Sequence, residues 1–177
     1  MRVDLLFLLS ALLISSCGFS AGRYAVSGDN VAALRLLEGA SVGVGSFTAT
    51  NPGQRSVSCR VTGRIQTADG EPWSEFIRKG FVDELRAANV YSEAAGVTIT
   101  GNLDSIDVST TRGYWTLAMT VRSSNGRSMS MHETFGFPSA FAGDTACIGA
   151  AQSLAPAVQN LIGKLVRSPE FSRLVSR

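Results

Sequence analysis

The feature that most constrains this chain is an apolar stretch near its first residue that ends at a cysteine. The stretch runs from Leu5 to Ile14, and two serines and Cys17 follow it directly. Arg2 precedes it with a positive charge. The stretch is shorter than the roughly 20 apolar residues that a membrane-spanning helix needs. A positive residue, a short apolar core and small residues before a cut site are typical of an export signal, so the chain is predicted to leave the cytosol.

The residues Ile14-Ser15-Ser16-Cys17 resemble the lipobox of bacterial lipoproteins. The resemblance implies cleavage before Cys17, a diacylglyceryl thioether on its sulfur and an acyl chain such as palmitate on its amine. Two or more acyl chains give stable anchoring in a bilayer. Gly18, and not an aspartate, follows the cysteine, which by the lipoprotein sorting pattern implies the outer membrane and exposure to the periplasm. A buried helix, or an ordinary signal peptide cut elsewhere, are the alternatives that the residues leave open.

Length and charge limit what the exported chain can be. Removing residues 1–16 from 177 leaves 161, enough for one domain with a substantial core. The predicted organisation is a signal peptide over 1–16, a lipidated Cys17 and Gly/Ser-rich tether with a possible short helix over 17–39, and one domain over 40–177. The formal charge is +2, and the basic residues are scattered, which argues against a nucleic-acid partner.

Three cysteines are an odd number, and lipidation accounts for one of them. If Cys17 carries the lipid, Cys59 and Cys147 remain as a pair in an oxidising compartment and are predicted to form a disulfide. The alternative is two buried thiols. A third cysteine or histidine ligand does not lie near either residue in the sequence, so neither a metal site nor a cofactor is predicted.

Periodic apolar residues predict the elements of the first half of the domain. Period-2 patterns predict a strand over Ser41–Phe47 and a second strand from Val57 to Ile65, with Cys59 pointing into the core. A helical spacing then predicts an amphipathic helix from Trp73 to Asn89. Its apolar stripe, Trp73 included, is assigned to the core, and its charged residues, Glu84 among them, are assigned to the flanks.

The second half adds three strands and another helix. Apolar residues change parity near Asp104-Ser105, which predicts a β-bulge. The last helix begins at Asp144 or Thr145 and carries Cys147 on its apolar side, where it can meet Cys59. Pro156 is predicted to kink or split this helix. The fold class is therefore α+β, a two-layer sandwich with a mostly antiparallel sheet of about five strands and two main helices on one face.

The register of the last hairpin follows from its apolar residues. A two-residue turn would mix the two faces of the strands, whereas a three-residue loop at Ser124–Gly126 places Met119 opposite Met131 and gives one apolar face. The three-residue loop is therefore predicted. In this register Glu133 falls on the apolar face, and His132 falls on the solvated face.

Several patterns of packing and turns carry a family resemblance. They are the helix Trp73–Ala88, the hairpin around Asn125-Gly126, the strand that ends at Phe137, and the terminal Pro169-Glu170-Phe171. With these, residues 42–174 resemble the YajG-type periplasmic lipoproteins. More distantly they are similar to the small α+β domain that begins periplasmic TolB proteins and to the curli secretion channel. The resemblance implies an outer-membrane anchor and brings no catalytic residues with it.

The residues favour binding over catalysis. His132 is the only histidine, and the sequence contains no Gly-x-Ser-x-Gly elbow, so an enzyme is not predicted. The buried position of Glu133 is explained either by a place at the sheet edge or by an ion pair with an arginine. The arginines considered are Arg60, Arg78 and Arg86.

The predicted function is a non-enzymatic accessory or binding subunit for envelope assembly or transport. It would be held to the membrane by the lipid on Cys17 and would dock a protein partner through an exposed sheet edge or a polar Ser/Thr face. The alternative is a carrier of a lipid or small apolar molecule between sheet and helices. In that case Met119, Met129 and Met131 would line the cavity.

Overall fold

The computed structural model describes residues 18–37, 39–61 and 63–176, so the predicted signal peptide and Cys17 lie outside the described part of the chain. Within these ranges, none of the helices is both long and apolar enough to cross a bilayer. The elements in chain order are β1 (Gly18–Ser20), α1 (Gly28–Arg35), β2 (Val42–Ala49), β3 (Ser56–Cys59), β4 (Gly63–Gln66), α2 (Trp73–Ala87), β5 (Val97–Ser109), β6 (Tyr114–Ser123), β7 (Ser128–Gly136), α3 (Gly143–Val166) and α4 (Phe171–Val175).

The described strands form two sheets, and not the single sheet of about five strands predicted from the sequence. The larger sheet has the order β2-β5-β6-β7, with β2 parallel to β5 and the other pairs antiparallel. The smaller sheet has the order β1-β4-β3, with β1 parallel to β4. The α+β class is confirmed, whereas the prediction of one sheet with two main helices is wrong.

The second sheet exists because the strand predicted from Val57 to Ile65 is a hairpin. Val57 lies opposite Ile65 in the antiparallel β3–β4 pair. The turn places Arg60 at a φ of 55°, and Val61 is almost fully exposed. A Cβ at Gly63 would lie 2.9 Å from the carbonyl oxygen of Cys59, so glycine permits this tight return of the chain. The period-2 pattern continues through the turn, and it therefore conceals the reversal.

The predicted hairpin loop and β-bulge are both present. Val121 pairs with Met129 and Met119 pairs with Met131, as the three-residue loop requires. Gly126 has a φ of 87°, the left-handed conformation that such a loop needs at its last position. The bulge lies between Leu103 and Ser105, where the β5–β6 register shifts.

The helices α2 and α3 cover one face of the larger sheet, and α1 packs against both of them. Trp73 on α2 meets Trp115 on β6 with ring centroids 6.3 Å apart, and both side chains are buried, as predicted for Trp73. Helix α3 runs unbroken from Gly143 to Val166, so the predicted split at Pro156 is wrong, and the alternative of a kink stays a prediction. Pro156 removes one hydrogen-bond donor from the helix. Leu154 before it and Val158 after it are both buried in the core, and this packing holds the helix on each side of the proline.

The predicted disulfide joins the two parts of the fold. Cys59 at the end of β3 is bonded to Cys147 in the second turn of α3, and their Cα atoms are 5.9 Å apart. Both residues are buried. The crosslink therefore ties the smaller sheet to the helix that covers the larger one.

The residues after Cys17 belong to the body of the domain. The composition of this segment predicts a tether, whereas residues 18–20 form a parallel strand against β4, and the Ala21 N–H donates to the Gln66 carbonyl at 2.8 Å. Farther on, Gln159 of α3 donates to the carbonyl of Ala25. Hydrogen bonds to β4 and α3 therefore hold the described segment before α1 at residues 18–21 and at Ala25.

Candidate functional site

The larger sheet has an open polar face on the side away from α2 and α3. We call it the polar sheet face, and it is the first candidate for a functional surface. Along β6, buried apolar residues alternate with partly exposed threonine and alanine, as expected for an antiparallel sheet with one solvated side. The exposed and partly exposed side chains of this face include Thr48, Thr100, Asn102, Asp104, Thr120, Arg122, Ser130, His132 and Thr134.

A row of hydrogen bonds crosses the polar sheet face from one edge strand to the other. The Thr48 hydroxyl donates to Asn102 Oδ1 at 2.9 Å, and Asn102 Nδ2 donates to Asp104 Oδ1 at 2.7 Å. Thr120 donates to Asp104 Oδ2 at 2.7 Å, so the 2.8 Å contact between Thr120 and Ser130 must use a Ser130 proton. Because each side chain is held by its neighbours, the row has a defined arrangement.

A shallow depression of about 260 Å³ lies beside this row. Arg122 supplies a cationic group at its border and is exposed. The other lining side chains are hydroxyls and one amide, from Ser46, Thr48, Thr100, Asn102 and Thr120. A surface of this kind suits hydrogen bonding to a polar partner better than the burial of an apolar ligand.

Lys164 lies against the β7 edge of the sheet. Its Nζ donates to the carbonyl oxygen of His132 at 2.7 Å and lies 2.8 Å from Glu133 Oε2. Glu133 is 4% exposed and lies on the apolar side of the edge strand, as the register predicts. Its cation comes from α3 and not from an arginine, since Arg60 and Arg78 have other partners. A lysine at an exposed edge hinders the addition of another strand, so the polar sheet face is the better candidate for a functional surface.

His132 lies on the polar sheet face and is exposed, as predicted. Its Nε2 atom is 3.2 Å from the hydroxyl of Thr134, two residues along the same strand. His/Cys/Asp/Glu groups able to hold a metal ion are not found among the described residues. The arrangement thus presents His132 as one polar contact among several.

Two of the three methionines proposed for a carrier lie in the packed core, and the third, Met129, is half-buried against it. Met119 is 1% exposed and Met131 is 7% exposed. A groove of about 630 Å³ lies elsewhere, between the end of β7 and α3, and has a mainly apolar lining. Its lining includes Phe135, Phe137, Pro138, Ile148, Gln152 and Pro156.

A buried carboxylate fixes the segment that follows the predicted anchor. Glu84 of α2 is 0% exposed, so the prediction that it lies on the flank of the helix is wrong. Its Oε1 accepts hydrogen bonds from the Tyr24 hydroxyl at 2.6 Å, the Ser27 N–H at 2.9 Å and Asn30 Nδ2 at 3.2 Å. Glu84 follows Ile77 by seven residues, which places it on the apolar stripe of the helix. Its burial could have been predicted from this spacing. We call residues 18–30 the N-terminal strap.

Tyr24 in the strap is expected to make the stability of the folded protein depend on alkaline pH. The pKa of Tyr24 is raised well above its ordinary value, first because of burial and then by the hydrogen bond to Glu84. The folded state therefore favours the protonated phenol. This stabilisation is complete below pH of about 10, where tyrosine titrates in the unfolded chain, and is lost as the pH rises above that value.

We expect the free energy of unfolding to fall by at most about 1.4 kcal/mol per pH unit above pH 10 on account of Tyr24. Tyr24→Phe removes the titrating group and should give a flatter profile. Urea unfolding between about pH 8 and about pH 11 measures the difference. Equal slopes for the two proteins would contradict this role of Tyr24.

Comparisons with known proteins place the chain in no family. None of the protein-family models matches the sequence, and neither does any curated protein. The chain is similar in structure to protein XCC0632 from Xanthomonas campestris, whose crystal structure is described with family-model DUF330. The TM-score is 0.45 and the sequence identity is 12%, over 84% of this chain and 90% of that chain. A likeness of this degree carries no argument about function.

Proposed function

We propose that this chain is a lipoprotein anchored through Cys17 in the outer membrane, where it faces the periplasm as a non-enzymatic accessory subunit of an envelope assembly or transport complex. The apolar stretch that ends at Cys17 supports export and lipidation. The disulfide between Cys59 and Cys147 agrees with an oxidising compartment. The resemblance to YajG-type lipoproteins supports the same role.

The observation that carries the docking role is the ordered hydrogen-bonded row on the polar sheet face. An interface loses less conformational entropy when its side chains are already fixed, and the row from Thr48 to Ser130 meets this condition. The partner that fits is a protein with a polar surface of carbonyls, amides and carboxylates, the last opposite Arg122. At the β7 edge, Lys164 disfavours docking by strand addition.

Site-specific photo-crosslinking in native envelopes tests this proposal. A photo-reactive side chain at Thr100 or Ser130 lies on the polar sheet face, whereas one at the exposed Asn160 of α3 does not. We expect a discrete crosslinked protein from the first two positions, none from Asn160, and loss of the product in a Cys17→Ser background. If envelope-bound protein gives the same products from all three positions, the docking role is wrong.

The apolar groove between β7 and α3 favours a second candidate function. An open groove of about 630 Å³ is large enough for one small apolar ligand or part of an acyl chain to lie along it. In this proposal the ligand lies beside Ile148 and Pro156, and not at the methionines. Gln152→Trp should fill the groove and reduce the lipid that is extracted from the purified protein. An unchanged lipid content would argue against a carrier.

A further inference from the structure

Four segments of the chain meet at one end of the domain, which we call the anchor end. The first residue of β1, Gly18, pairs with Arg64 at the start of β4, next to the β3–β4 turn. From that turn, Arg60 Nη2 donates to the Ala140 carbonyl at 2.8 Å and to the Thr110 carbonyl at 3.4 Å. The anchor end therefore comprises Gly18, the β3–β4 turn, the β5–β6 turn and the loop over 137–142.

The parallel pairing of β1 with β4 decides where the chain enters the domain. An antiparallel pairing would place Gly18 at the far end of β4, whereas the observed register places it beside Arg64. Cys17 is one peptide unit away, and consecutive Cα atoms are about 3.8 Å apart. A lipid on Cys17 would therefore hold the anchor end close to the bilayer.

The anchor end also exposes apolar side chains at its loop tips. Val61 in the β3–β4 turn is 98% exposed, and Phe141 in the loop before α3 is fully exposed. The turn and the loop are tied together through Arg60. Single exposed apolar residues need no explanation, but two on linked loops beside the predicted anchor form a common surface.

The charges around these tips suit anionic headgroups. Arg60, Arg64 and Arg112 are exposed at the anchor end, and Asp144 is the acidic residue at the start of α3. Exposed arginines near a bilayer are attracted to anionic lipids, and apolar side chains enter the boundary between headgroups and acyl chains. Net positive charge and apolar tips together match a bilayer surface.

We infer that the anchor end is a bilayer-contact surface, in which Val61 and Phe141 enter the lipid interface beside the lipid-modified Cys17. The inference rests on the proposed lipidation for its orientation. Beyond lipid anchoring, the inference states that the domain itself contacts the membrane in one orientation, with the anchor end toward the bilayer. In this orientation the bilayer does not cover the polar sheet face, and a protein partner can reach it.

Tryptophan substitution tests this surface without adding a thiol. Trp73 and Trp115 are buried, so a new exposed tryptophan reports on its own surroundings. Val61→Trp and Phe141→Trp are placed at the anchor end. Leu36→Trp is the matched control, because Leu36 is 81% exposed beside Ser176, which the Asn125 hairpin turn holds at the opposite end of the sheet.

Each variant is expressed from the full sequence, residues 1–177, so that the cell can cleave and lipidate it. The purified protein is then reconstituted in vesicles of phosphatidylethanolamine and phosphatidylglycerol with brominated acyl chains. We expect quenched and blue-shifted emission from the tryptophans at positions 61 and 141, and emission typical of water from that at position 36. The wild-type protein supplies the background. If lipidated protein shows water-like emission at positions 61 and 141, the inference is overturned and the surface is free for a protein partner.

Mass spectrometry of the same samples separates this inference from the proposed function. A lipidated Cys17 with unquenched tryptophans overturns the bilayer-contact surface alone. An unmodified Cys17 overturns the proposed anchor, and the quenching still decides whether the surface binds lipid: quenched tryptophans support it, and unquenched ones reject it.

Discussion

Reduction of the Cys59–Cys147 disulfide is expected to lower the free energy of unfolding by about 4–5 kcal/mol. The two cysteines are separated by 88 positions, so the crosslink closes a loop of 89 residues, about half of the chain. In the chain-entropy model, closing a loop of this length removes much of the freedom of the unfolded state. Small domains are stable by only about 5–15 kcal/mol, so the loss is a large share of the total.

Urea unfolding with and without reductant measures this effect. Reduced wild-type protein keeps both sulfur atoms in the core, so its comparison with oxidised protein isolates the crosslink. A Cys59→Ala, Cys147→Ala variant should be less stable still, because both buried side chains lose packing contacts. The slope of free energy against urea should rise on reduction, since the unfolded chain becomes more expanded. A change below about 1 kcal/mol would contradict the entropic account.

The substitution Glu84→Ala is expected to lower the free energy of unfolding by about 2–4 kcal/mol and to loosen the N-terminal strap. Glu84 Oε1 accepts hydrogen bonds from Tyr24, Ser27 and Asn30. In the variant, Asn30 keeps its second hydrogen bond, to the Gln159 carbonyl. The loss of stability therefore comes mainly from the Tyr24 hydroxyl and the Ser27 amide, which lose their acceptor. Buried donors without an acceptor lose their solvation without compensation.

Hydrogen exchange at the amides of the strap, residues 18–30, reports the loosening directly. Asp83→Ala is the matched control, because Asp83 is exposed on the same helix one residue earlier. Glu84→Gln should fall between the two, since its amide oxygen can still accept the same hydrogen bonds. Unchanged exchange in the strap of Glu84→Ala would show that the network does not hold it.

Local patterns predicted the parts of this fold that two neighbouring strands or one helix determine. The hairpin register follows from period 2, because a shift of one residue would place Met119 and Met131 on opposite faces. The disulfide was predictable because Cys59 and Cys147 each lie on the apolar side of their own element. The β-bulge followed from the change of parity near Asp104.

The remaining parts depend on contacts between distant segments. The β3–β4 turn keeps the parity of a strand, and Val61 reads as a core residue although it is exposed. The strap has the composition of a tether, yet it is held by Glu84, which lies 54 to 60 positions farther along the sequence. Lys164 could not be assigned to Glu133 without the packing of α3 on β7. The hydrogen-bonded row likewise needs the parallel pairing of β2 with β5.

The mass of the mature N-terminal peptide tests the central claim most directly. Protein is isolated from the envelope of the native cell, digested and examined for the peptide that begins at residue 17. The account predicts that the chain starts at Cys17, with a diacylglyceryl group on the sulfur and an acyl chain on the amine. A soluble chain that retains residues 1–16, or one that starts elsewhere with an unmodified Cys17, would contradict it.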